Sequence, residues 1–89
     1  MKLDRIEIFC AVARNMSFTK AAEECNMAQS AISMQIRALE EELGVRLFER
    51  SSRDFRLTEA GEALLPQAQS LLAAAEKIKD GMKNARPAN

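Results

Sequence analysis

The side chains in this sequence best placed to do chemistry are Gln29, Ser30, Ser33, Met34 and Arg37, within the stretch MAQSAISMQIRALEEELG. On a helical wheel of roughly 100° per residue with Ile32 at the origin, Ser30, Ser33, Met34 and Arg37 fall at about 160°, 100°, 200° and 140°. They share the side away from the apolar stripe Ile32, Ile36 and Leu39, and all lie in the first half of the segment. Gln29 falls nearer the stripe, but in the first turn it can reach past the helix end. Short hydroxyl and amide groups and a guanidinium can hydrogen-bond base edges in a major groove, and a methionine can lie against a thymine methyl. The second half gathers Glu40, Glu41 and Glu42, which phosphates repel. If this helix met DNA, it would do so by its first half, where free N–H groups and the positive end of the dipole also lie, with the acids kept outside. On spacing alone, the same face is equally an ordinary solvated surface.

A second set of groups follows directly. Arg46, Arg50, Arg53 and Arg56 occur with only Glu49 and Asp54 as acids among them. Arginines on a two-stranded ribbon beside a reading helix can track phosphates or enter a narrow minor groove. A charge run by itself is usually a solvated edge; its position here favours phosphate contact.

Several function classes fall away. The chain has no histidine, three glycines and two cysteines outside any CxxC spacing, which excludes a zinc site, a glycine-rich phosphate loop and a recognisable nucleophile–base pair. No cofactor, no metal and no enzyme activity is expected, and exposed consecutive acids lack the burial that would tune them for proton transfer. Cys10 and Cys25 suit a reduced cytoplasmic protein, with Cys25 filling an apolar position. No apolar run approaches the roughly 20 residues of a membrane span, and the charged, helically spaced start is no signal peptide. With 13 basic and 13 acidic residues, net charge is silent on nucleic acid; only its distribution speaks.

The elements that must position these groups can be read from periodicity and caps. Leu3, Ile6, Phe9, Cys10 and Ala13 form one helical face, and Ile8 and Val12 a second, so a first helix ending at Asn15 packs on two sides. Ser17 is an N-cap for a short helix over about 18–25, whose Ala21 and Ala22 permit close approach of a neighbour. Asn26 suits the left-handed turn between helices. A longer helix with Ile32, Ile36, Leu39 and Leu43 follows, and Gly44 terminates it. Two short apolar pieces, Leu47-Phe48 and Phe55 to Leu57, flank Ser51-Ser52-Arg53-Asp54 and predict a hairpin. Thr58 then caps a long helix in which Pro66 should kink or loosen the backbone. Leu64, Ala68, Leu71, Ala75, Ile78 and Met82 alternate steps of four and three as a heptad seam, shadowed by Leu65 and Leu72. Such a helix outreaches so small a body, so part of the seam should meet a second chain.

Two helices joined by a tight turn describe a helix-turn-helix. The fold expected is mainly α: a winged helix-turn-helix with a three-helix core and a small β-hairpin wing, then a long dimerisation helix. Residues 1–58 form the DNA-binding unit, with a recognition helix over 28–43 and a wing over 46–57. Residues 59–84 form the linker helix and 85–89 a frayed end. The competing reading is a protein-interaction module that uses the long helix to dimerise or dock a partner.

The stretch SFTKAAEECNMAQSAISMQIRALEEELGVRLFERSSRDFRLTEAGEALL resembles the N-terminal DNA-binding domain of the LysR-type transcriptional regulators. The resemblance lies in the SFT-x-AA opening, Q-S-A-x-S, I-x-x-LE-x-x-LG-x-x-LF-x-R and LT-x-AG, spanning about residues 3–82. It implies a bacterial, cytoplasmic homodimer on a pseudo-palindromic double-stranded operator, paired through the long helix, with a tetramer open to a longer protein. Position by position it implies base and phosphate contacts at Gln29, Ser30 and Ser33, a specificity position at Met34, wing contacts at Arg50 and Arg53, and a phosphate-side contact at Lys20. Ala28 departs from a usual serine or threonine cap, and Met34 from a frequent arginine. Members of the family are normally completed by an effector domain that binds a small-molecule inducer; this chain stops near Pro87, where a hinge to it would begin. The expectation is the DNA-binding portion alone.

Overall fold

The computed structural model describes residues 1–51 and 54–85. Element order is α1 (Leu3–Asn15), α2 (Phe18–Cys25), α3 (Gln29–Leu43), β1 (Phe48–Arg50), β2 (Phe55–Leu57) and α4 (Glu59–Asn84). Arg53 and residues 86–89 lie outside the described residues.

Local chemistry sets most boundaries. The Ser17 hydroxyl accepts from the Lys20 N–H at the start of α2, and the Thr58 hydroxyl accepts from the Gly61 N–H at the start of α4. Asn26 ends α2 in the left-handed region (φ 55°), and the following Met27 N–H donates to the Ala22 carbonyl at 2.9 Å. This closes the tight turn into α3. Gly44 ends α3 at φ 72°. α1 ends at Asn15, as expected, with Met16 as its C-cap at φ 49° and its N–H bonded to the Val12 carbonyl. Asn15 turns its amide onto the Ala11 carbonyl and the Glu24 carboxylate. Ala28 stands at the N-cap of α3 in extended conformation without a side-chain cap bond, as its apolar side chain requires.

The core lies where α1, α2, α3 and the first half of α4 meet: Ile6, Phe9, Val12, Ala21, Ile32, Ile36 and Leu39 are all sealed from solvent. The four phenylalanines form one chain of ring contacts. Phe48 meets Phe9 at 5.5 Å and Phe55 at 5.3 Å between centroids, and Phe18 meets Phe55 edge-on at 5.3 Å. Each pair contributes about 0.5–1.5 kcal/mol beyond its buried area. The cluster fastens the two-stranded antiparallel hairpin, in register Phe48 with Leu57 and Arg50 with Phe55, onto α2 and α1.

Three expectations need correction. Leu3 and Leu43, placed on apolar stripes by spacing, are exposed, because each sits at a helix end that runs past the core. Pro66 lies inside α4, with its ring exposed, and the helical range runs through it. The seam divides: Ala68 is buried in the chain's own core and Leu64 packs partly against it, so Ala68 has no surface left for a second chain. Glu40, grouped with the outward acids, is buried.

Candidate nucleic-acid interface

The face derived by angle on α3 is the solvent-facing one. Gln29, Ser30, Met34 and Arg37 are exposed and Ser33 half-buried, while Ile32, Ile36 and Leu39 close the opposite side. Met34, at 68% relative exposure, is a large apolar side chain standing in water among polar neighbours. Gln29 does reach beyond the helix end: its side-chain oxygen accepts from the Thr19 hydroxyl at 3.1 Å, bridging the turn between α2 and α3. Lys20 is exposed on the first turn of α2. Neither Lys20 nor Arg37 has a carboxylate partner among the described residues.

The hairpin arginines are not equivalent. Arg56 lies across the ribbon from Glu49 (3.1 Å) and near Asp54 (3.6 Å). Its hydrogen bond to Glu49, and then the field of Asp54, raise its pKa further. Arg46 approaches Glu40 at 3.7 Å. Arg50 has no carboxylate partner among the described residues; its guanidinium carbon sits 4.5 Å from the centre of the Phe18 ring. That stacking holds the cation at the junction of wing and α2 without neutralising it. Arg37, Arg46 and Arg50 line one open groove between α3 and the hairpin, with Glu40, Glu41 and Val45. Arg37 and the second half of α3 therefore flank the same space as the wing.

The remaining acids are arranged away from that groove or tied up. Glu42 pairs with the N-terminal ammonium (2.9 Å) and with Arg5 (3.4 Å). The hydrogen bond from that ammonium is the main reason its carboxyl lies below the usual range. Arg5 also donates to Gln35, so α1 braces the middle and end of α3. Glu24, held by Asn15 and then Arg14, is likewise lowered. Burial raises both thiols, Cys10 and Cys25, above their ordinary value, which keeps them protonated and inert.

Two features of this site were not read from the sequence. The Arg50–Phe18 stack joins residues remote along the chain and leaves no periodic trace. The burial of Glu40 did leave one: on the wheel it falls about 80° from Ile32, beside the stripe, whereas Glu41 falls near 180°. Among the described residues no helix is long and apolar enough to cross a membrane, and no cluster of His, Cys, Asp or Glu could hold a metal ion.

Along the long helix, Leu71, Ile78 and Met82 are exposed at 42%, 65% and 65%, while Leu65 and Leu72 pack partly against the core. A helix of 26 residues, about 39 Å at 1.5 Å per residue, extends well past a core that the chain's other dimensions limit to 25 × 19 Å.

Comparison with known proteins agrees with this geometry. The family model described as "Bacterial regulatory helix-turn-helix protein, lysR family" matches residues 3–62. An uncharacterized HTH-type transcriptional regulator from the ibpB-leuC intergenic region of Azotobacter vinelandii is 45% identical over 94% of this chain and 58% of its own length. The HTH-type transcriptional regulator CfxR of Cupriavidus necator is 40% identical over 93% of this chain and 26% of its own. The chain thus spans between a quarter and three-fifths of the length of these relatives. Among solved structures, the BenM DNA-binding domain in complex with benA site 1 DNA superposes with a TM-score of 0.90 at 39% identity, covering 96% of both chains. The CbnR DNA-binding domain in its DNA complex gives 0.89 at 38% identity, covering 96% of this chain and 98% of that one.

Proposed function

The chain belongs to the lysR family of bacterial regulatory helix-turn-helix proteins, and from that membership we propose that it binds double-stranded DNA as a symmetric dimer and reads sequence through α3. It is a LysR-type helix-turn-helix DNA-binding domain. The observation that carries the reading is the shared groove. Arg37 of α3 and Arg50 of the wing, neither with a carboxylate partner among the described residues, line one open space, and Arg37 shares its exposed side of α3 with Ser30 and Met34.

In this reading Gln29, Ser30, Ser33, Met34 and Arg37 enter a major groove, with Met34 meeting base edges by apolar contact alone. Lys20, Arg50 and Arg53 hold phosphates and fix the register. Residues 1–58 read DNA; α4 pairs two chains through Leu71, Ala75 and Ile78, while its first turns also complete the core of 1–58. Two recognition helices related by a two-fold axis then lie about 34 Å apart, one turn of DNA, or a multiple of it, on a pseudo-palindromic operator. A longer protein carrying this domain would act in the bacterial cytoplasm, respond to a small-molecule inducer through an effector domain and assemble further as a tetramer.

Fluorescence anisotropy on a duplex selected from a random pool tests this. Affinity should fall steeply with salt, and Arg50→Ala should weaken binding across all sequences and reduce the salt slope by about 1. Affinity indifferent to both salt and sequence refutes the reading. Ile78→Asp should convert the dimer to a monomer by light scattering; an unchanged mass refutes the seam.

A further inference from the structure

Where the chain leaves α3, its backbone N–H groups converge on one residue. Those of Gly44 and Val45 donate to the main-chain carbonyl of Glu40, at 2.8 and 3.2 Å. Those of Leu47 and Phe48 donate to its side-chain Oε2, at 2.8 and 3.4 Å. The carboxylate is 8% exposed, unlike Glu41 beside it. Buried there, an acceptor-only group is stabilised by two main-chain donors, and a charged acceptor makes such bonds roughly twice as strong as a neutral one. Arg46, at 3.7 Å, supplies the nearest opposite charge.

The far side of Leu47 is equally fixed. Its carbonyl accepts the Thr58 N–H at 2.9 Å, and the Arg46 carbonyl accepts the Thr58 hydroxyl. Gly61 packs so closely that an added Cβ would stand 2.2 Å from the Leu47 oxygen. From Leu47 the chain runs directly into β1, which carries Arg50 over Phe18. A continuous set of short contacts therefore connects α3, through the Glu40 carboxylate and Leu47, to the wing on one side and to the start of α4 on the other.

We propose that Glu40 is a positioning residue for DNA binding: its buried carboxylate holds the wing, and with it Arg50, at a set offset from the recognition helix. Glu40 itself touches no DNA. It acts by making the two contact surfaces one rigid body, so that a duplex engaged by α3 meets Arg50 already in place. This rests on the DNA-binding reading above, and the test separates the two.

Wild type, Glu40→Ala, Arg50→Ala and the double variant are compared for affinity to the selected duplex. Amide exchange at Leu47 and Phe48 is followed by NMR without DNA. Glu40→Ala should bind at least tenfold more weakly, with Leu47 and Phe48 amides exchanging faster. Glu40→Gln, which keeps one carbonyl acceptor, should recover part of both. Arg50→Ala should cost much less in the Glu40→Ala background than in wild type, since an unheld wing has little left to lose. An equal cost in both backgrounds would mean that Glu40 serves stability alone, and overturns the proposal. Unchanged amide exchange overturns it as well. If Glu40→Ala does not fold, the same cycle is read with the isosteric Glu40→Gln. A wild type that fails to bind any duplex counts against the DNA reading, while the exchange data still decide whether Glu40 holds the wing.

Discussion

Glycine-to-alanine changes inside α4 should have opposite signs at its two ends. At Gly61 the new methyl would stand 2.2 Å from the Leu47 carbonyl oxygen, 2.8 Å from Leu57 Cδ2 and 3.2 Å from the Leu47 carbonyl carbon. The Leu57 methyl can swing aside. The carbonyl cannot, because it accepts the Thr58 N–H at 2.9 Å and belongs to a backbone held on its other side by Glu40. Restoring ordinary contact needs a separation on the order of 1 Å, which stretches the Thr58 bond out of range. Overpacking costs about 1–3 kcal/mol and the lost hydrogen bond about 1 kcal/mol, while alanine's better helix propensity returns about 1 kcal/mol. The net is a destabilisation of about 2 kcal/mol, or a drop in Tm of roughly 8–16 °C for a domain of this size. At Gly81, a Cβ meets nothing within 4 Å, so Gly81→Ala should stabilise by about 0.5–1 kcal/mol. Calorimetry of both variants at one protein concentration, needed because dimerisation shifts Tm, checks the pair. A Gly61→Ala melting temperature equal to or above wild type would refute the rigid close approach.

Ala28→Ser supplies the missing cap of α3, where the backbone is already extended (φ −69°, ψ 146°). It should add about 1 kcal/mol, read as a rise in Tm of roughly 4–8 °C; no rise would show those N–H groups to be satisfied already. Met34→Arg should introduce a preference for guanine at one position per half-site, worth about 1–3 kcal/mol in a selection from random duplexes, and an unaltered preference would remove residue 34 from the bases. Glu24 has a lowered pKa in the folded chain, so its stabilisation is present above the unfolded carboxyl value of about 4.3 and is lost as pH falls through the lowered folded one. Glu24→Gln should therefore melt below wild type at neutral pH and converge with it in acid; a constant gap across pH would reject the Asn15 and Arg14 bonds as the cause.

The sequence by itself determined the elements and the solvent-facing side of α3. Ser17, Asn26, Gly44 and Thr58 act on hydrogen-bond partners within about five residues along the chain, so their effect is legible without knowing the fold. The exposed side of α3 was equally legible, because the period of Ile32, Ile36 and Leu39 says which face is buried wherever the helix docks. Tertiary structure alone decided how far each stripe stays covered. Ala68 is core and Leu71 surface on one heptad seam, because α4 docks by the side that carries Leu65, Ala68 and Leu72. Leu43 is exposed because the end of α3 runs past the core. Three adjacent glutamates became one buried anchor, one solvated acid and one partner of the N-terminus, according to which neighbour each met: the Leu47 N–H, water, or the ammonium of Met1. Arg50 stands apart from the other described wing arginines because β1 sets it above Phe18 while Arg56 finds Glu49 across the ribbon. Periodicity fixes which way a side chain points; what stands there to meet it depends on segments remote in the chain, and only the folded arrangement supplies them.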